Sequence, residues 1–162
     1  MSTIKTKEVT AADHRYEIRR MTPVTGGYIW QRLMAACFKA QQQSAASGVA
    51  QAEETEEAKA EAAKVSAEDK LRSLCGVAFM QLSLEDFSYV QAACMKAISR
   101  FETKDGKDGA IAIGFIPIMQ DNGVWTSPDV ADSPFLITKL MVEAVVFNLA
   151  SFLSESSATP TA

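Results

Sequence analysis

The segment from residue 134 to residue 153 most restricts how this chain can fold. It opens on Ser133-Pro134, which supplies an N-cap and a proline at the first helical position, and it is apolar on nearly every side of a helix. Three polar residues interrupt it, namely Lys139, Glu143 and Asn148. Because charges are costly in hydrocarbon, the pattern favours a helix buried in a core or covered by a partner over a membrane span.

Size and composition indicate a single domain with a small net charge. Of 162 residues, 48% are apolar, so we expect a single domain over residues 1–162. A net charge of −4 gives no broad attraction for nucleic acid or anionic lipid, so we expect neither a nucleic-acid nor a membrane partner. The N-terminus lacks the apolar stretch of a secretory signal, and Cys37, Cys75 and Cys94 fit a reducing compartment. We therefore expect a cytoplasmic protein.

The first part of the chain predicts a strand followed by a helix. Apolar and charged residues alternate over residues 13–21, which is the period of a half-buried strand. Thr22-Pro23 ends that strand, and residues 25–27 predict a flexible turn. Over residues 28–43 the apolar positions recur at helical spacing, which predicts an amphipathic helix.

A low-complexity tract follows at about residues 41–65. Residues 41–64 consist mainly of Ala, Gln, Glu, Ser and Lys, and Val49 is their only large aliphatic residue. Burial cannot offset the entropy of ordering such a tract, so a solvated helix and a disordered loop are its two candidate states. We expect a mobile insertion that partly orders on binding, and a frayed polar tail over residues 154–162.

Two helices and a hairpin are predicted next. Capping boxes at Ser66 and Ser83 each precede apolar residues at helical spacing. The period then changes to two, so residues 101–103, a polar turn over 104–109 and residues 110–119 predict a hairpin. The predicted fold class is α+β, mainly α, with four or so helices, a short N-terminal strand and a small antiparallel hairpin.

Residues suited to catalysis or metal binding are scarce. His14 is the only histidine, and the cysteine separations fit no zinc pattern. The glycine pair at 26–27 lacks a phosphate-binding motif, and the Asp-Gly pairs within 105–109 lack the spacing of a calcium loop. We therefore expect a protein that is not an enzyme and that uses no metal and no cofactor.

The densest basic cluster lies early in the chain and is interleaved with aromatic residues. Its members are Arg15, Arg19, Arg20 and Arg32. Such interleaving can indicate a nucleic-acid patch. Glu17 lies within the cluster and the whole chain is acidic, which favours a salt-bridged surface or an acidic peptide partner.

Two segments carry a resemblance to a known family. Residues 16–33, YEIRRMTPVTGGYIWQRL, combine a basic strand, a proline, glycines and an apolar helix. Residues 134–140, PFLITKL, and 145–153, VVFNLASFL, form an apolar closing helix. In this layout the chain resembles the tail assembly chaperones of long-tailed bacteriophages.

The resemblance implies a mostly helical, non-enzymatic protein that acts in the host cytoplasm. It would coat the tape measure protein, a long helical chain that aggregates, until the tail tube assembles around it. The implied partners are the tape measure protein and the tail tube protein. The resemblance also implies a homo-oligomer, since such chaperones are similar in using apolar helices to form multimers.

Physical reasoning describes the surface that such a chaperone needs. A client helix with an exposed apolar stripe stays soluble when a helix-lined apolar groove with a charged rim covers it. Methionine and aromatic side chains suit this role because they adapt to variable partners. The candidate client- or self-binding residues, some of which must be core instead, are Tyr28, Ile29, Trp30, Leu33, Met34, Phe135, Leu140, Met141, Phe147 and Phe152.

Other functions stay open at this point. A secretion-type chaperone for an exported effector has the same small, acidic character. A membrane-associated protein could be anchored by the helix at 134–153. An enzyme with an unrecognised site is disfavoured by the single histidine and the lack of a motif.

Overall fold

Four strands and five helices make up the described part of the chain. The computed structural model describes residues 6–46 and 67–155, with the backbone alone for residues 44–46, 67 and 151–155. In chain order the elements are β1 (Thr6–Ala11), β2 (His14–Arg19), α1 (Pro23–Ala46), α2 (Ala67–Gln81), α3 (Leu84–Lys96), β3 (Ile98–Gly106), β4 (Gly109–Pro117), α4 (Pro128–Ala131) and α5 (Pro134–Glu155).

The strands form one antiparallel sheet in the order β1-β2-β3-β4. Tyr16 and Ile18 project from β2 into the core and are fully buried, as is Ile98 at the start of β3. β2 pairs with β3 only over residues 98–100, whereas β3 pairs with β4 from Ser99 to Gly106. The far end of the β3–β4 hairpin therefore extends past the rest of the sheet.

The predicted fold class is wrong in its strand and helix content, although the α+β assignment agrees with the structure. The sheet has four strands where one strand and a small hairpin were expected, and the described residues hold five helices, including the four-residue α4. The sequence did not predict β1, because only Val9 and Ala11 in this strand contact the core and they form too short an apolar pattern. Its turn to β2 uses Ala12 and Asp13 at positive φ, a conformation for which the sequence gives no glycine signal.

α1 begins earlier than predicted. Its first residue is Pro23, and the backbone N–H groups of Thr25 and Gly26 donate to the hydroxyl and carbonyl oxygens of Thr22. Thr22 thus caps the helix with proline at its first position. The flexible turn predicted at residues 25–27 is wrong, because this capping outweighs the modest helix cost of Gly26 and Gly27.

α5 is the centre of the structure. Leu140, Met141 and Val146 are fully buried, and the helix packs against α2, α3, α4 and the edge of the sheet formed by β1 and β2. Its apolar composition is therefore explained by burial in its own chain, so a client surface must be sought elsewhere. No helix in the described ranges 6–46 and 67–155 is long and apolar enough to cross a membrane.

Glu143, one of the charges that interrupt α5, joins three elements. Its carboxylate accepts hydrogen bonds from the Arg72 guanidinium of α2 at 3.2 and 3.3 Å and from the Lys7 ammonium of β1 at 3.4 Å. Partial burial opposes ionisation, yet the hydrogen bonds and charge of Arg72, reinforced by Lys7, hold the pKa of Glu143 below its ordinary value. This cluster fastens β1 and α2 to the central helix.

The low-complexity tract is described only at its start. Residues 41–46 continue α1, and residues 47–66 lie outside the described residues, as does the expected mobile insertion there. α5 extends to Glu155, so the predicted frayed tail overlaps its last two residues, and residues 156–162 are likewise not described.

Candidate binding groove

An open groove lies between the start of α1 and the second half of α3. Its volume is about 480 Å³. The link from β2 to α1 and the loop after β4 complete its walls. The lining residues are Arg20, Met21, Thr22, Thr25, Tyr89, Ala92, Ala93, Lys96, Ala97 and Asp121.

The floor of the groove is one stripe of α3. Tyr89, Ala92, Ala93 and Lys96 are spaced i, i+3, i+4 and i+7, which places them on one helix face. The opposite face carries the buried residues Val90 and Cys94. Small alanines in the middle of the stripe leave the space that forms the groove, while Tyr89 and Lys96 stand at its two ends.

Asn148 holds the β2–α1 link in place. Its side-chain oxygen accepts a hydrogen bond from the Met21 backbone N–H at 2.7 Å, and its amide nitrogen donates to the Arg19 carbonyl at 3.3 Å and the Ala144 carbonyl at 2.9 Å. Asn148 is 7% exposed. A buried amide that satisfies two backbone groups of the link fixes the wall that carries Arg20 and Met21.

Arg20 is positioned by an aromatic ring. Its guanidinium carbon lies 4.8 Å from the centroid of the Phe147 ring on α5, a cation–π distance. Phe147 is adjacent to Asn148 in the sequence, so one turn of α5 supports both the backbone and the basic side chain of this wall. The charge of Arg20 stays exposed to solvent beside the groove.

Basic groups dominate the rim of the groove in a protein that is acidic as a whole. Arg20 and Lys96 are exposed on two walls, and the N-terminal turn of α1 at Thr22 and Thr25 adds the partial positive charge of a helix start. Asp121 is the one acidic residue among the lining residues. The rim therefore attracts negative charge that flanks an apolar ligand.

An aromatic and charged cluster closes the end of the groove at Tyr89. The Tyr28 ring meets the Tyr89 ring edge-on at 4.5 Å, and the Tyr28 hydroxyl donates to Asp86 at 3.4 Å. The Arg32 guanidinium lies over the Tyr28 ring at 4.8 Å and within 3.5 Å of the same Asp86 carboxylate. Tyr89 is 42% exposed, so part of its ring is available to a ligand.

The structure distributes the candidate binding residues over three environments. Tyr28 and Phe147 adjoin the groove through Tyr89 and Arg20. Phe135 is 81% exposed at the start of α5, and the side chain of Phe152 is not described. The remaining candidates are buried or half-buried, with Ile29, Leu33, Leu140 and Met141 in the core and Trp30 and Met34 partly covered.

Sequence reasoning missed the α3 stripe and Asn148. Two alanines carry no chemical signal of their own, and Asn148 was considered only as a polar residue within an apolar helix. Arg20 was identified as part of a basic cluster, for which a salt-bridged surface or an acidic peptide partner was expected. The signal that could have found the stripe is the spacing of an aromatic, two small residues and a lysine on the exposed face of α3.

The described residues offer little for covalent chemistry. Burial raises the pKa of the Cys75 thiol to about 12 and raises the pKa values of Cys37 and Cys94 as well, so these thiols stay protonated and poorly nucleophilic. No three His, Cys, Asp or Glu side chains in residues 6–46 and 67–155 come together in a way that could hold a metal ion.

Of three comparisons with known proteins, only the comparison with protein families gives a match. No curated protein and no solved structure matches the chain. A family model matches residues 12–160, which include the groove, the hairpin and α5. This match confirms the resemblance drawn from residues 16–33, 134–140 and 145–153. The matching family is that of the phage tail assembly chaperone protein, TAC, and the chain belongs to it.

Proposed function

We propose that this chaperone binds the tape measure protein through the groove between α1 and α3 and keeps it soluble until the tail tube assembles. The observation that carries the proposal is the α3 stripe, in which Ala92 and Ala93 are only partly buried between the exposed residues Tyr89 and Lys96. Binding would take place in the host cytoplasm, without catalysis.

The shape of the groove selects side chains of a helix. About 480 Å³ accommodates a few apolar side chains but not a whole helix, so the groove serves as an anchoring pocket for a longer contact. Alanines at positions 92 and 93 let a client backbone approach closely. The fitting ligand is an amphipathic helix that inserts one or two large apolar side chains.

The charge of the groove selects the flanks of that helix. Arg20, Lys96 and the start of α1 lie around the apolar floor, so acidic residues beside the inserted side chains are favoured. Such rim contacts accelerate association more than they strengthen the complex, which suits a client that tail tube subunits must later displace. We also propose that the chain forms a homo-oligomer. Its subunits must then contact each other through a second surface, because the groove has to stay available to the client.

The test is co-expression of the chain with the tape measure protein of the same phage, followed by measurement of soluble complex. Ala93→Trp fills the groove and Lys96→Glu reverses one end of its rim. We expect Ala93→Trp to lower the yield of soluble complex more than about tenfold, since it removes the anchoring pocket. Lys96→Glu should give a smaller loss.

Matched variants separate groove loss from general damage. Ser73→Trp and Lys70→Glu place the same side chains on exposed positions of α2 and should bind like the parent. Circular dichroism confirms that each variant is folded. Full binding by folded Ala93→Trp would overturn the assignment of the groove, and equal losses in Ser73→Trp would do the same.

A further inference from the structure

The far end of the β3–β4 hairpin is an exposed arm that has a charged tip and exposed isoleucines on β4. We define the hairpin arm as residues 103–113, which lie beyond the three residues of β3 that pair with β2. Every residue of the arm except Gly106 is exposed, and Ile111 and Ile113 expose 61% and 56% of their surface. Two-stranded hairpins are marginally stable in water, so this arm gains from a further strand.

The two edges of the sheet differ in how they are protected. β1 is six residues long and carries Lys7 and Glu8, charges of the kind that prevent unwanted strand pairing. β4 forms the other edge, is nine residues long and has no charged residue in the sequence GAIAIGFIP. Among the described residues no strand pairs with its outer side. β4 is therefore the edge that is open to pairing.

We propose that β4 pairs antiparallel with β4 of a second copy of this chain and joins the two arms into one four-stranded sheet. This names a surface for the proposed homo-oligomer, and it does not depend on client binding by the groove. Identical uncharged strands meet without like-charge repulsion, and isoleucines of each arm cover those of the other.

Charges at the two ends of β4 fit this arrangement. Antiparallel pairing brings the arm tip of one copy, where Lys104 and Lys107 are balanced by Asp105 and Asp108, beside the Pro117 end of the other. Asp129 lies near that end, because its carboxylate binds Arg100, which is opposite Ile116 in the ladder. Charges are thus balanced within each end, and a two-fold dimer meets no like-charge repulsion there.

A bulge limits the strength of the contact. Glu102 is opposite Gly114 and Thr103 is opposite Ala112, so Ile113 is an extra residue that bends β4. The edge is thus divided into two short stretches, and the area of one strand pair lies at the low end of specific interfaces. We expect a dimer with a dissociation constant in the micromolar range.

The experiment measures mass and backbone protection together on the full chain. Sedimentation of the parent should show a monomer of 17.5 kDa that dimerises with rising concentration. Hydrogen exchange in residues 109–117 should slow over the same concentrations, because their outward N–H groups become paired. The double variant Ile111→Lys, Ile113→Lys should weaken dimerisation by at least about tenfold and abolish the concentration dependence of exchange.

A matched variant and the groove assay make the result decisive. Met80→Lys changes a side chain that is 85% exposed on α2, and it should dimerise like the parent. The double variant should keep the tape measure protein soluble in the co-expression assay, so failure of the two proposals can be distinguished. A parent that stays monomeric, or a dimer whose residues 109–117 exchange as fast as in the monomer, would overturn the pairing.

Discussion

The groove and the hairpin arm are both open surfaces that expose apolar side chains beside charged ones, but they are built in opposite ways. The groove has a floor of small side chains, a basic rim and walls fixed by buried groups such as Asn148. The arm has large isoleucines, an uncharged strand edge and no third strand beside it in the described residues. We therefore propose different partners for them: a side chain of another protein for the groove, and an identical strand that pairs with the backbone for the arm.

This difference explains how one small chaperone could bind a client and itself at once. The groove is formed by α1 and α3 with support from α5, and the arm leaves the sheet on the side of β4. If the two surfaces act separately, a change that damages one must leave the other intact. The following predictions test that separation, from the largest expected effect to the smallest.

Asn148→Leu should have the largest effect and should act on the groove alone. The substitution leaves the Met21 N–H without its buried acceptor and the Arg19 carbonyl without its donor. We expect a loss of about 2–3 kcal/mol in the free energy of unfolding, measured by urea denaturation. Tape measure binding should also fall, while dimerisation should not change at concentrations where the variant is folded.

Asn122→Leu is the matched control for Asn148→Leu. Asn122 is exposed and accepts one hydrogen bond, from the Val124 N–H at 3.0 Å. Its loss should cost well under about 1 kcal/mol, because water can replace the bond. Equal destabilisation by the two variants would refute the role of Asn148 as the support of the β2–α1 link.

Part of this organisation could be predicted from the sequence, because local signals determine it. The Ser83 capping box does begin α3, where the Ser83 hydroxyl accepts from the Asp86 N–H, and the period-two pattern does form a hairpin. β1 was missed because its apolar residues are few and its partner strand supplies most of the contacts. Local patterns suffice where the stabilising contacts are close in sequence.

The candidate site was predicted less well, because it depends on contacts across the whole chain. The groove exists only when α3 faces the start of α1. Asn148 accepts a hydrogen bond from the backbone N–H of Met21, which lies more than a hundred residues away in the sequence. The binding residues chosen from the sequence include four core side chains, namely Ile29, Leu33, Leu140 and Met141. Apolarity alone does not distinguish a binding surface from a buried face.

Glu143→Gln should lower global stability and leave both surfaces working. It removes a carboxylate with 17% side-chain exposure that binds Arg72 and Lys7, whose side chains are 34% and 31% exposed. Because water partly screens these pairs, we expect a loss of about 1–2 kcal/mol at pH 7. Altered client binding or dimerisation in this variant would show that the groove and the arm are coupled through the core.

The pH dependence of that loss gives a second test. The folded state holds the pKa of Glu143 below its ordinary value of 4.5, so its contribution is complete above that pH and disappears as pH falls through the folded pKa. The gap between the parent and Glu143→Gln should therefore close in acid. Glu8→Gln, at an exposed ion pair with Arg15, should leave stability nearly unchanged at pH 7.

Gly114→Ala should weaken the arm and leave the groove unchanged. Gly114 has a φ of +112°, which strains any residue with a Cβ atom, although an added Cβ would contact nothing within 4 Å. We expect a local cost of about 1 kcal/mol, measured as faster hydrogen exchange in residues 103–115. Gly76→Ala, in the interior of α2 with open space for its Cβ, should instead stabilise the protein by up to about 1 kcal/mol.

Salt should affect the two surfaces unequally, and this is the smallest effect we expect. Arg20 and Lys96 lie exposed on the groove rim, so added salt screens their attraction for an acidic client flank and slows association. Arg20→Gln should lower the client association rate by about threefold in dilute buffer and by less in 0.5 M salt, since screening has then already removed most of that attraction. Pairing of β4 rests on backbone hydrogen bonds and isoleucine contacts, so sedimentation of the dimer should change little over the same range. A dimer more sensitive to salt than the client complex would mean that the charged arm tip, and not the uncharged edge of β4, holds the two copies together.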